Sequence, residues 1–94
     1  MARNAVKVTE FYIEEVFDDG DRFLVFFDTA EEMFYEAAKF FAFNDLDTGM
    51  QITSIVANGV DHRYAGWMPD MRIQFRSCWS DELVYDRCFP EWDH

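Results

Sequence analysis

The chain has 94 residues, half of them apolar and 19% aromatic, and its 19 acidic residues against 8 lysines and arginines give a formal net charge of −11. That length suits one compact domain, 1–94, and a chain this short needs much of its 11 Phe, 4 Tyr and 3 Trp to build a core. The charge opposes direct binding to nucleic acid or an anionic membrane; there is no run of about 18 apolar residues to span a bilayer and no apolar leader after Met1, so the expected compartment is the cytoplasm.

Val6 to Phe17 is rich in β-branched and aromatic residues and predicts a first strand. Its alternation changes parity near Glu10, which predicts a bulge or strand twist there. Asp18-Asp19-Gly20-Asp21 reads as a tight turn, and Arg22 to Asp28 as a second, very apolar strand antiparallel to the first. Asp28 and Thr29 stand three residues before Glu31 and Glu32, the spacing of a capping box, and predict a helix from Ala30. Met33, Ala37, Phe40 and Phe41, widened by Phe34 and Ala38, form its buried stripe, and Asn44 is its stop. After a loop at Asp45 to Gly49, Met50 to Ala57 predicts a third strand. Asn58-Gly59 is the strongest hairpin signal of the chain, turning into a strand at Val60 to Tyr64. Pro69 and Asp70 precede a strand at Met71 to Trp79, with Met71, Ile73, Phe75 and Trp79 on one face and Arg72, Gln74 and Arg76 on the other. Ser80-Asp81-Glu82 is a further turn, and Leu83 to Phe89 is a candidate edge strand ended by Pro90. The expected fold class is α+β: a β-hairpin, one amphipathic helix, then an antiparallel β-meander, written ββαβββ with that further edge strand.

Charge is unevenly spread along this outline. Ten acids lie between Glu10 and Glu36, where Arg22 is the one base, a formal −9. Glu10 and Glu14 fall on the first strand, Asp18, Asp19 and Asp21 in the turn, and Glu31, Glu32 and Glu36 on the helix. Glu32 and Glu36 are a like-charged pair four residues apart, which costs a few tenths of a kcal/mol and has Lys39 nearby as partial relief. Carboxylates on a rigid hairpin and helix can compete with the phosphates of DNA, which carry one charge per roughly 1.7 Å of duplex axis, for the basic groove of a nucleic-acid-binding protein. These eight acids are therefore the candidate partner-binding residues, by charge-assisted contacts with Lys or Arg. The rival reading is that acids on a small protein serve solubility and helix stability alone.

Catalytic and metal motifs are not apparent. Cys78 and Cys88 do not form a CxxC pair and read as buried thiols. His62 and His94 are too few to complete a zinc site, so no metal and no cofactor is expected. Asp61 and His62 with either cysteine would supply the residue types of an acid–base nucleophile system, but neighbours in a strand point to opposite faces, and no enzyme is expected. The four glycines are isolated, so no loop cradles a phosphate.

Length, acidity and the mixed ββα-plus-meander pattern, taken over all 94 residues, resemble the small phage-encoded anti-CRISPR proteins, a group that shares no sequence motif. No residue role is carried over. The resemblance implies stoichiometric inhibition of a CRISPR effector, a basic nucleic-acid-binding complex of a host defence system, by blocking its DNA channel or docking on one subunit. A second class of function is a structural or regulatory interaction protein, antitoxin-like or a homo-oligomeric phage accessory factor. It would use the aromatic segment Tyr64, Trp67 and Met68, or homodimerise through the final strand, since an unpaired edge templates pairing.

Overall fold

The computed structural model describes residues 10–43, 50–67 and 72–92. The predicted start of the first strand at residues 6–9, the helix stop at Asn44, the loop at 45–49, residues 68–71 and the side chains of Phe43 and Trp67 lie outside the described set. Among the described residues six strands and one helix follow in chain order: β1 Phe11–Val16, β2 Arg22–Phe27, α1 Ala30–Phe43, β3 Gln51–Ala57, β4 Val60–Trp67, β5 Arg72–Ser77 and β6 Leu83–Cys88, closed by a short 3-10 turn at Pro90–Trp92. All pairings are antiparallel and the sheet order is β2-β1-β3-β4-β5-β6. The expected α+β architecture, hairpin, helix and meander, is what the chain adopts, with β6 as the further edge strand.

Local chemistry sets each junction. Between β1 and β2 the Gly20 amide donates to the Phe17 carbonyl and the Phe17 amide to the Asp21 carbonyl, both at 2.9 Å. Gly20 sits at φ +91°, the left-handed position of a three-residue hairpin loop. Asn58 and Gly59 have φ of 53° and 83°, and two consecutive positive φ angles are what a two-residue primed turn requires. The helix opens on Thr29 as its N-cap: the Glu32 amide donates to Thr29 Oγ1 at 3.1 Å, and the Thr29 hydroxyl in turn donates to the Glu32 carboxylate at 3.2 Å.

The core lies between one face of the sheet and α1. Met33, Phe34, Ala37 and Ala38 of the helix are buried against Ile13, Ile55, Ile73, Phe75, Tyr85 and Phe89. The two alanines let the helix approach, and aromatic rings fill the flank toward β4, β5 and β6. The Phe34 ring lies 5.1 Å from Tyr85, 5.3 Å from Phe75 and 5.2 Å from His62, while Phe41 stacks on Tyr64 at 4.5 Å. Burial pushes the hydroxyls of Tyr64 and Tyr85 above the usual phenol range. On its other side Tyr35 packs on Phe89 and Trp92, whose own rings stack at 3.8 Å and pin the last turn to the helix.

The irregularity expected near Glu10 involves residues 6–9 and lies outside the described residues; within β1 the pairing with β3 shifts register between Glu14 and Glu15. Two expectations are corrected. The fifth strand ends at Ser77, and Ser77 Oγ accepts the Trp79 amide at 3.1 Å, so the chain turns and Trp79 faces solvent at 79% exposure instead of sharing the Ile73 and Phe75 face. Cys78 is consequently exposed and Cys88 half-buried, neither the buried thiol expected, and no disulfide joins them.

Between β3 and β4 the backbone ladder spans two residue pairs, Val56 with Asp61 and Ala57 with Val60. Side chains then take over. Asp61 Oδ1 accepts the amides of Ile55 at 2.9 Å and His62 at 2.8 Å. His62 Nδ1 lies 3.1 Å from the Ile55 carbonyl; a carbonyl only accepts, so the proton is on Nδ1. Asp61→Ala strands these two amides and is expected to cost about 1–3 kcal/mol in urea unfolding, whereas Asp61→Asn, which keeps an acceptor oxygen, loses less.

Candidate functional site

The nominated acids do not share one plane; they frame β2. Glu10 is exposed just before β1, and its carbonyl accepts the Asn58 amide at 2.8 Å, so it lies at the end of the sheet where β2 finishes and α1 starts. Asp28, Glu31 and Glu32 are at that same end. Asp18, Asp19 and Asp21 are exposed in the turn at the opposite end, the length of β2 away, roughly 20 Å at strand rise.

Glu14 stands on the sheet face away from the helix. It accepts from the Thr53 hydroxyl at 2.6 Å and from Arg22 at 3.3 Å, and the Thr53 bond first, then the Arg22 charge, holds its carboxyl below the usual carboxylate range. Glu31 pairs with Arg87 at 3.3 Å and Glu36 with Lys39 at 3.5 Å. In the β4 to β6 half Arg63 pairs with Asp81 and Arg72 with Asp86, and Arg76 donates to the Asp81 carbonyl. Two of the four arginines of that half are thus paired with its own acids, while the segment from Glu10 to Glu36 retains its excess of acids.

The framed strand carries the feature that the sequence reading missed. Among the described residues β2 is an outer strand, paired on one side with β1. Four consecutive side chains, Phe23, Leu24, Val25 and Phe26, are exposed, at 51%, 49%, 37% and 57%. Phe23 and Val25 oppose Glu15 and the buried Ile13, so they point to the helix side, and Leu24 and Phe26 point to the other. The signal was present in the unbroken apolar run Phe23 to Phe27, which shows no alternation. Such a run reads as a strand buried on both faces, and here it stands at the rim.

Next to it, a groove of about 420 Å³ runs between α1 and the β1–β2 pair. Its floor is Ile13, Val25 and Phe27, its walls are Tyr35 and Phe40, and three carboxylates, Glu15, Glu32 and Glu36, border it. Glu32 and Glu36 were nominated from sequence; Glu15 was not, although its parity with Phe11 and Ile13 puts it on the helix face. An apolar floor with carboxylates at its border suits a cationic side chain with an aliphatic stem.

A second cavity, about 260 Å³, opens at the β3–β4 seam and is lined by residues that include Asp61, His62, Arg63, Tyr64 and Cys78. A carboxylate, an imidazole and a thiol therefore share one space. Asp61 Oδ1 is engaged with backbone amides and His62 Nδ1 with the Ile55 carbonyl, so the carboxylate is not bonded to the imidazole nitrogen as it is in a nucleophile–base–orienter triad. Among the described residues no three His, Cys, Asp or Glu side chains cluster to hold a metal ion, and no helix is long and apolar enough to cross a membrane. In comparisons with known proteins, no family model, no curated protein and no solved structure matches this chain.

Proposed function

We propose that this protein is a stoichiometric inhibitor that binds a basic nucleic-acid-binding complex of a host defence system, a CRISPR effector foremost, through the acidic half built by β1, β2 and α1. Occupancy is the mechanism: carboxylates pair with the Lys and Arg side chains that otherwise hold phosphates, and nucleic acid is kept out. The observation that carries this reading is the segregation of charge. Ten acids face one arginine between Glu10 and Glu36, while from Val60 to Trp92 six acids face four arginines. Five like charges placed at the two ends of one strand, on Asp18, Asp19, Asp21, Asp28 and Glu32, repel one another and are better compensated by an external cation surface than by this chain.

The test is capture on the immobilised protein from a nuclease-treated lysate of the host cell, followed by elution with excess duplex DNA. The expected result is a nucleic-acid-binding complex that DNA displaces, because both compete for one groove. A captured partner indifferent to DNA would overturn occupancy of that groove. The exposed apolar β2 supports a second reading, an interaction protein of the antitoxin-like or accessory class. That interface would keep its affinity when salt shortens the Debye length to about 8 Å, where a charge-led one loses much of its own.

A further inference from the structure

The geometry points to strand addition at β2: an extended basic segment of the partner, alternating cationic and apolar side chains, pairs with the outer edge of this strand and sends a Lys or Arg into the groove beneath α1. This rests on the proposed binding to a basic protein and specifies how it is made.

Three observations carry it. The first is the ladder. The Phe17 amide bonds the Asp21 carbonyl, and in an antiparallel pair bonded and non-bonded residues alternate, so Phe23, Val25 and Phe27 turn their backbone groups toward β1. Leu24 and Phe26 turn theirs outward, and among the described residues no strand lies on that side. Protein strands at a sheet edge are usually blunted by lysine, proline, bulges or a covering element; the interior of this strand, Phe-Leu-Val-Phe, has neither Lys nor Pro. The second is the exposure of side chains on both faces of the strand, which offers an incoming strand apolar neighbours above and below the sheet.

The third is charge complementarity, and it selects the occupant. Acids at both ends of β2 and three carboxylates at the groove would put two copies of this edge in strong mutual repulsion, which disfavours a second copy of the chain. A basic segment meets the opposite situation. A side chain from the added strand on the helix side passes over Val25 and Phe27, where an aliphatic stem is buried and a guanidinium or ammonium comes within reach of Glu32 and Glu36.

The experiment uses the full chain and, as probe, a synthetic peptide of about ten residues alternating arginine and valine, matched against the same peptide with every second backbone amide N-methylated. Charge is identical in the two; the capacity to pair as a strand is not. The expected result is that the unmodified peptide binds about tenfold or more tightly than the methylated one and slows amide exchange at Leu24 and Phe26. Leu24→Pro removes an outward amide at a position where an edge strand tolerates proline, and it is expected to erase the difference between the peptides with the circular dichroism spectrum retained. Equal binding of both peptides, weakened alike when Asp18 and Asp21 are reversed to Lys, would overturn strand addition and leave the acidic-surface reading standing. No binding of either peptide would overturn both. Self-association abolished by Leu24→Pro, with no peptide binding, would overturn the basic segment in favour of a second copy.

Discussion

Phe75→Ala is expected to lower the unfolding free energy by about 3–5 kcal/mol, the range for deleting a large buried ring. Phe75 is fully buried, and its ring lies 5.3 Å from Phe34 and 6.0 Å from each of Phe41, Tyr64 and Tyr85. Four rings held by three different elements, α1, β4 and β6, cannot all move inward to fill the space, so little of the lost contact is recovered. Small domains have a total stability of about 5–15 kcal/mol, and the variant should sit near its unfolding threshold at room temperature. Urea titration followed by circular dichroism measures this. Phe26→Ala is the paired control: its ring is 57% exposed and meets Tyr12 at 5.4 Å, so the loss should stay within about 1 kcal/mol. Equal losses at the two positions would contradict a core confined to the helix side of the sheet.

The second large effect is expected in binding. Reversing Asp18 and Asp21 to Lys takes the formal charge of the Glu10 to Glu36 segment from −9 to −5. Both side chains are exposed in the turn, and neither takes part in the ion pairs described above. Association with the captured basic partner should slow by about tenfold or more at low ionic strength, and its dependence on salt should flatten, since dispersed charges act mainly on the rate of encounter. Surface plasmon resonance at two salt concentrations reads both quantities. An unchanged association rate would refute the charge-led mechanism. The helix acids are less discriminating probes. Glu31 anchors Arg87, Glu32 bonds the hydroxyl of the Thr29 cap and Glu36 holds Lys39, so reversing them alters internal contacts as well as the outward field.

Much of the fold was legible because its signals are local. Thr29 with Glu32 starts the helix, Asn58-Gly59 turns a hairpin, and Gly20 takes the left-handed position between two strands; each is a few residues acting on their own backbone. Placement in the sheet is not local. The apolar run of β2 would be equally suited to a strand buried on both faces, and only the pairing of β1 with β3 on its other side puts that run at the rim. Trp79 was misplaced for a similar reason: continued alternation assigns it to the buried face, but the Ser77 hydroxyl caps a turn and ends the strand two residues earlier. The sequence assigns each acid to an element, although Glu10 lies just before β1 and not on it; their arrangement as a frame, with Glu15 at the groove, came from the hairpin geometry.

The seam between β3 and β4 bears on how the molecule comes apart and together. Backbone pairing within β2-β1-β3 and within β4-β5-β6 is extended over whole strands, while two residue pairs and the Asp61 and His62 side chains join the halves. The outer hairpins close over short stretches of chain, which favours their early formation. The helix is the clasp: Met33 and Ala37 lie on the middle of the sheet, and Phe34 and Phe41 reach across to the rings of β4, β5 and β6. Slow hydrogen exchange should therefore resolve two cooperative units of unequal protection, and whatever loosens α1 from the sheet releases both at once.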